Sequence, residues 1–281
     1  MKADALVDCA TLEQHLDDAS WVVVDVRHDL MNPGKGRAAY AEGHIPGACF
    51  LHLDDDLSAP KTGRNGRHPL PAPADFAAKL NHCGVTPTSQ VVAYDDTGGS
   101  YAVRLWWMLR WLGHERVAVL DGGWKAWVAE NRPVSREVPP GRTGAFVPRA
   151  LLGATVDAAF VDRFREDAAL KLIDARAADR FAGNNETIDP VAGHVPGAVN
   201  RFWQTNLAPD GRFKAADVLR REFETLLAGT DPAATVHMCG SGVTACHNAF
   251  AMALAGLPSG RLYPGSWSEW CADPTRAVAR G

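Results

Sequence analysis

Four landmarks occur twice along the chain, in the same order, and this repeat constrains the fold more than any other feature. Val22-Val23-Val24-Asp25-Val26-Arg27 answers to Leu172-Ile173-Asp174-Ala175-Arg176, and Gly43-His44-Ile45-Pro46-Gly47-Ala48 answers to Gly193-His194-Val195-Pro196-Gly197-Ala198. Val91 to Asp95 falls opposite Thr235 to Cys239, and Asp121-Gly122-Gly123-Trp124 opposite Pro264-Gly265-Ser266-Trp267. The offsets run from 143 to 150 residues, so the chain is two copies of one module with short loop insertions, and a solenoid would need a far shorter period. The 281 residues are comfortable for two such domains, each with its own core. We expect a first module over 1–135, a linker over 136–153 rich in Pro and Gly, and a second module over 154–281.

Within each module, short runs of Val, Ile and Leu alternate with segments of helical pattern, which predicts an α/β fold with a parallel sheet covered on both faces. Val91 to Tyr94 reads as a buried strand and Tyr101 to Leu112 as the helix after it, stopped by Gly113. In the second copy Thr235 to Met238 is the strand, Cys239 to Val243 the turn, and Thr244 to Ala255 the helix, with Gly256 beyond it. Ligands of open α/β sheets bind beyond the carboxyl ends of strands. Cys239 stands at such an end.

The turn Cys239-Gly240-Ser241-Gly242-Val243-Thr244 puts a thiol at the mouth of a loop whose two glycines let backbone N–H groups converge on an anion. The following helix contributes its positive end. Both effects favour the thiolate, the nucleophilic form of cysteine. A phosphatase would carry an Arg six residues after its Cys, whereas position 245 is Ala245, and a cysteine protease needs a His and an Asn or Asp that this loop does not locate. A ring of N–H donors without a clamping Arg suits a small anion such as a persulfide sulfur.

These landmarks resemble those of the two-domain rhodanese-like sulfurtransferases over essentially the whole chain. The Cys239 to Thr244 loop is similar to that of the 3-mercaptopyruvate branch, with thiosulfate-preferring rhodaneses tending to carry basic residues there. The resemblance implies a ping-pong enzyme of the EC 2.8.1 class, in which Cys239 takes sulfur from a small-molecule donor, 3-mercaptopyruvate or thiosulfate, and yields it to cyanide, a small thiol or thioredoxin. It further implies a relay of Ser241, His68 and Asp54 for the donor's thiol proton, an anion cradle of Gly240, Gly242, Val243 and Thr244, and Arg180 as one of two arginines gripping the donor carboxylate. The second arginine is missing: the chain reads Asn184-Asn185-Glu186-Thr187-Ile188-Asp189, acid in place of base. Its loss weakens the grip by ~1.5–3 kcal/mol, the worth of a charge-assisted bond, unless Arg67, Arg64 or Lys61 compensates.

Asp95 occupies the nucleophile position of the first module, and a carboxylate cannot carry sulfur, so that module is expected to be catalytically silent. Asp25, Arg27, Asp174 and Arg176 read as structural ion pairs at strand ends, and His44 and His194, present in both copies, as structural residues before Pro. His237, Cys239, Cys246 and His247 include zinc-binding types, but their placement on a strand end and a helix argues against convergence on one ion. Cys246 reads as a bystander rather than a resolving thiol, and Trp106, Trp107 and Trp111 as core. No metal or organic cofactor is implied. The net charge of −4 favours no nucleic acid partner, and no run of eighteen apolar residues could cross a membrane. Six scattered cysteines without a C-x-x-C pair, and an N-terminus without a secretory pattern, point to a reducing cytoplasm. A sulfur-relay protein loaded by a partner desulfurase, and a redox module trapping Cys239 with Cys246 or Cys271, are the alternatives from other classes.

Overall fold

Nine short strands, all paired in parallel, form two sheets in the computed structural model, which describes residues 5–149, 151 and 153–281. Met1 to Asp4, read above for a secretory pattern, and Ala150 and Leu152 of the expected linker lie outside the described residues. The chain divides into one unit of Met1–Ala59, Leu70–Leu151 and Pro209–Arg212, and another of Pro60–Pro69, Leu152–Ala208 and Phe213–Gly281. Residues 60–69 thus belong with the second half of the sequence and 209–212 with the first. No helix among the described residues is long and apolar enough to cross a membrane.

In the first unit Leu6–Val7 (β1), Trp21–Asp25 (β2), Cys49–Phe50 (β3), Gln90–Tyr94 (β4) and Val117–Leu120 (β5) form a sheet of order β1-β5-β4-β2-β3. Every residue of β2, β4 and β5 is buried. This is why these strands read as continuous apolar runs rather than alternating ones: helices cover both faces of the sheet. Trp127, fully buried, anchors one side of the core with Leu12, Ile45 and Tyr94. Residues 136–149 form no helix or strand and are tied to this unit, with Gly144 N–H donating to the Asn81 carbonyl at 2.7 Å and Arg149 N–H to that of Leu112 at 2.8 Å.

In the second unit Lys171–Asp174 (β6), Val199–Asn200 (β7), Thr235–Met238 (β8) and Arg261–Leu262 (β9) form a sheet of order β7-β6-β8-β9. Its core holds Trp267 and Trp270, both fully buried, with Met238 and Tyr263. The strand-end ion pairs repeat in both units. Arg27 donates from Nε and Nη2 to Asp25 and lies over the Trp124 ring at 4.4 Å, and Arg176 does the same to Asp174 and lies over Trp267 at 4.7 Å. Their second donor in each case reaches a glycine carbonyl, Gly43 or Gly193. His44 stacks on Tyr40 and bonds its carbonyl, and His194 stacks on Phe181 and bonds its carbonyl. Both imidazoles are consumed by the fold.

One expectation about the cysteines is corrected. Cys49 and Cys83 are joined by a disulfide, with Cα atoms 5.6 Å apart. The partners are 34 positions apart in sequence, and only the folding of β3 against the end of the helix Pro73–His82 brings them together.

Candidate active site

β8 ends at Met238, and Cys239 begins the turn into the helix Ala245–Leu254. The Cys239 sulfur accepts from the backbone N–H of Gly242 at 3.1 Å and of Ser241 at 3.4 Å. Gly242 makes this possible, because its φ is +77° and a Cβ there would stand 2.3 Å from the Pro264 carbonyl oxygen. Val243 and Thr244 complete the turn, Thr244 as the residue capping the helix. The loop is held from behind by the second copy of the Gly-Trp landmark. Ser266 Oγ accepts from Cys239 N–H at 3.1 Å, and Trp267 and Ser268 N–H donate to the carbonyls of Cys239 and Gly240. Sequence reasoning saw that segment as a repeat marker and missed its role as a buttress.

Ser241 and His68 are brought together, with His68 Nδ1 2.7 Å from Ser241 Oγ and His68 buried. They meet within the second unit because residues 60–69 fold with it. Gly66, at φ +81°, packs so closely on Gly265 that a Cβ would come 2.8 Å from its carbonyl oxygen, and Arg67 N–H donates to Ser268 Oγ at 2.9 Å. Asp54, the remaining member of the expected relay, belongs to the first unit, where its carboxylate stands 3.9 Å from His28 Nε2.

Two guanidinium groups overlook the loop at Gly240. A Cβ on that glycine would lie 3.1 Å from Arg67 Nη2 and 3.8 Å from both terminal nitrogens of Arg180. Arg67 and Arg180 thus approach the same glycine of the loop. Each guanidinium is already engaged. Arg180 donates to Glu186 through Nε and Nη2 at 2.8 to 3.2 Å and to Asp189 at 3.3 Å, while Arg67 Nη1 donates to Asp189 at 2.6 Å. Glu186 also accepts from the N–H groups of Ile188 and Asp189 and lies 3.5 Å from Arg176. Burial pushes the Glu186 carboxyl up, but the bonds from Arg180 and the two backbone N–H groups outweigh it and hold the group below its ordinary value. The cluster carries three cations, Arg67, Arg176 and Arg180, against three anions, Asp174, Glu186 and Asp189. Its compensated charge could be read in the sequence only as acid in an unexpected place.

The corresponding position of the first unit is filled differently. Asp95 accepts from Thr97 and Gly99 N–H on one oxygen and from Tyr101 and Ala102 N–H on the other, at 2.8 to 2.9 Å. The first cradle holds a built-in anion.

The other candidates fall away from this chemistry. His237 is fully buried, and burial pushes its imidazole down to about 4 against a weaker opposing backbone bond. His247 bonds Asn206 and stacks on Phe213, and Cys246 bonds the Gly242 carbonyl, so these side chains do not form a ligand set with Cys239. Burial, and after it the charge of Asp189, pushes the Cys271 thiol up to about 11. A thiol so seldom ionised is a poor partner for disulfide formation. Trp106 and Trp107 are buried in the core.

Comparison with known proteins agrees with this geometry. A model of the rhodanese-like domain matches residues 8–130 and again 157–273. The chain is 46% identical over its whole length, and the whole of the relative's, to a protein of Pseudomonas aeruginosa named as a probable 3-mercaptopyruvate sulfurtransferase. It is 36% identical to a thiosulfate sulfurtransferase of Gallus gallus, over 90% of this chain and 84% of that one. Among solved structures, the 3-mercaptopyruvate enzyme SseA from Escherichia coli superposes with a TM-score of 0.80 at 31% identity, covering 94% of this chain and 99% of that one. With two copies of the domain, a cysteine in the cradle of the second and full-length relatives of this kind, the chain belongs to the rhodanese-like sulfurtransferases.

Proposed function

We propose that the protein moves a sulfane sulfur from 3-mercaptopyruvate to a thiol, thioredoxin or cyanide by way of a persulfide on Cys239. The observation that carries this reading is the Cys239 sulfur in its N–H cradle, with Ser241 of the same loop hydrogen-bonded to His68. The Cys239 thiolate attacks the donor sulfur, an S–S bond forms, and the donor's C–S bond breaks. The electron pair released becomes a pyruvate enolate, which takes up the proton that the donor thiol gives up. In this reading Ser241, hydrogen-bonded to His68, relays that proton, with Asp54 as the candidate third member. Arg180 and Arg67 bind the donor carboxylate beside Gly240. The persulfide then passes its outer sulfur to the acceptor and the Cys239 thiolate returns, with the inward N–H groups of the loop stabilising negative charge on sulfur throughout. The first module, with Asp95 in its cradle, carries no sulfur.

A second reading, preference for thiosulfate, is favoured by the pairing of Arg180 with Glu186. A carboxylate must displace that pairing to reach the guanidinium.

The test is to incubate wild type and Cys239→Ala separately with 3-mercaptopyruvate and thiosulfate, and to follow intact mass together with pyruvate and thiocyanate release. Gain of one sulfur by wild type alone, with faster pyruvate release, supports the reading. Better loading by thiosulfate transfers it to the second, and failure of both donors to load Cys239 would overturn the enzyme in favour of a relay protein.

A further inference from the structure

A cavity of about 410 Å³ opens in the first unit against the Cys49–Cys83 disulfide, far along the chain from Cys239. Both cysteines line it, Cys49 being partly exposed and Cys83 buried. The charged residues of its lining are all basic. Arg37, Arg136 and Arg142 contribute, with His82 beside them, and no carboxylate lines the wall. Arg37 lies over the Phe50 ring at 5.4 Å and within 3.5 Å of exposed Asp55, and Arg136 is steadied by donating to the Glu42 carbonyl at 2.9 Å. Arg142 and Arg136 are exposed, and neither is in an ion pair among the described residues. The cavity is of a size that holds a small organic ligand. Basic groups around a pocket raise the local concentration of anions, and here that concentration falls on a disulfide.

We propose that this cavity binds an anionic low-molecular-weight thiol bearing carboxylates, and that Cys49–Cys83 is its thiol–disulfide exchange site. The ligand's thiolate attacks Cys49 Sγ, the more exposed of the two, forming a mixed disulfide as the S–S bond to Cys83 breaks and Cys83 leaves as thiolate. A second ligand thiolate attacks the sulfur of the first, forming the ligand disulfide and releasing Cys49 as thiolate. The protein disulfide gains two electrons and, with two protons, becomes two thiols, while two ligand thiols are oxidised to one ligand disulfide. Run in reverse, the ligand disulfide re-forms the bond. Such exchange reconciles a formed disulfide with a sequence whose cysteine usage suits a reducing compartment.

The test uses the oxidised full-length protein, with glutathione as the anionic thiol and 2-mercaptoethanol as the neutral one, quenched by alkylation and read by peptide mass spectrometry at Cys49 and Cys83. Compared at equal thiolate concentration, glutathione is expected to act about tenfold faster and with saturation. A variant carrying Arg136→Ala and Arg142→Ala, both exposed positions, should lose the saturation and the advantage while its rate with 2-mercaptoethanol is unchanged. Equal, unsaturated rates for the two thiols in wild type would overturn the proposal, as would a protein in which oxidised glutathione joins Cys49 neither to Cys83 nor to itself.

Discussion

Glu186 is the residue whose removal should change donor choice most, and Glu186→Gln is the informative substitution. The glutamine oxygen can still accept from Ile188 and Asp189 N–H, so the local turn is preserved. The three contacts with Arg180 lose their charge, and the cluster of three cations and three anions becomes cationic by one. A donor carboxylate about 4 Å from that uncompensated charge is attracted by about 4 kcal/mol at an effective dielectric of about 20. Arg180 is 18% exposed, so solvent screens part of this, and the worth of one charge-assisted hydrogen bond, about 1.5–3 kcal/mol, is the better figure. At 1.4 kcal/mol per tenfold, KM for 3-mercaptopyruvate should fall by about 10- to 100-fold. Thiosulfate should gain less, because the planar guanidinium matches a carboxylate in two bonds. Steady-state pyruvate and thiocyanate release measure both, and repetition at high salt should shrink the gain. An unchanged KM for 3-mercaptopyruvate in a folded Glu186→Gln protein would refute the idea that Glu186 competes for Arg180.

Three further outcomes are expected. Ser241→Ala should lower kcat with 3-mercaptopyruvate by about 10²-fold while sparing thiosulfate, which has no thiol proton to move, and equal losses with both donors would instead indicate damage to the cradle. Asp95→Ala strands four backbone N–H groups and should lower the free energy of unfolding in urea by about 3–5 kcal/mol, without abolishing sulfur loading of the folded protein. Because the Glu186 carboxyl is held below its ordinary value when folded, its contribution is present above about pH 4.3 and is lost as pH falls through the lower folded value. Melting temperature measured from pH 6 to 3 should therefore fall more steeply for wild type than for Glu186→Gln.

The parts of this architecture governed by local pattern were legible in the chain. β4 and β8 were announced by apolar runs, the helices after them by their periodicity and glycine stops, and the strand-end pairs by recurring Asp-x-Arg. The Cys239 loop was legible because two glycines before a helix allow few backbone paths. What escaped was set by tertiary closure. Residues 60–69 are polar and punctuated by Pro and Gly, with no periodicity to say which unit they join; the packing of Gly66 on Gly265 and the bonds of Arg67 and His68 to Ser268, Asp189 and Ser241 tie them to the second. Cys49 and Cys83 carry no motif, and the residues that make them partners are those of β3 and a helix end. The charge of Glu186 and Asp189 was visible, whereas their neutralisation of Arg180 and Arg67 depends on a turn that no spacing rule encodes.

The carboxylate of Asp95 has a consequence for the chemistry of the other unit. Each of its oxygens is three bonds from Cα, as is the outer sulfur of a cysteine persulfide, and each bears part of one negative charge. Four amide hydrogens surround it in the first unit, so the chain carries, in place of an inactive nucleophile, a stable isostere of the charged intermediate proposed at Cys239. Cys239→Asp would then mimic the loaded enzyme without a transferable atom, a form in which an acceptor can dock and be measured but never react.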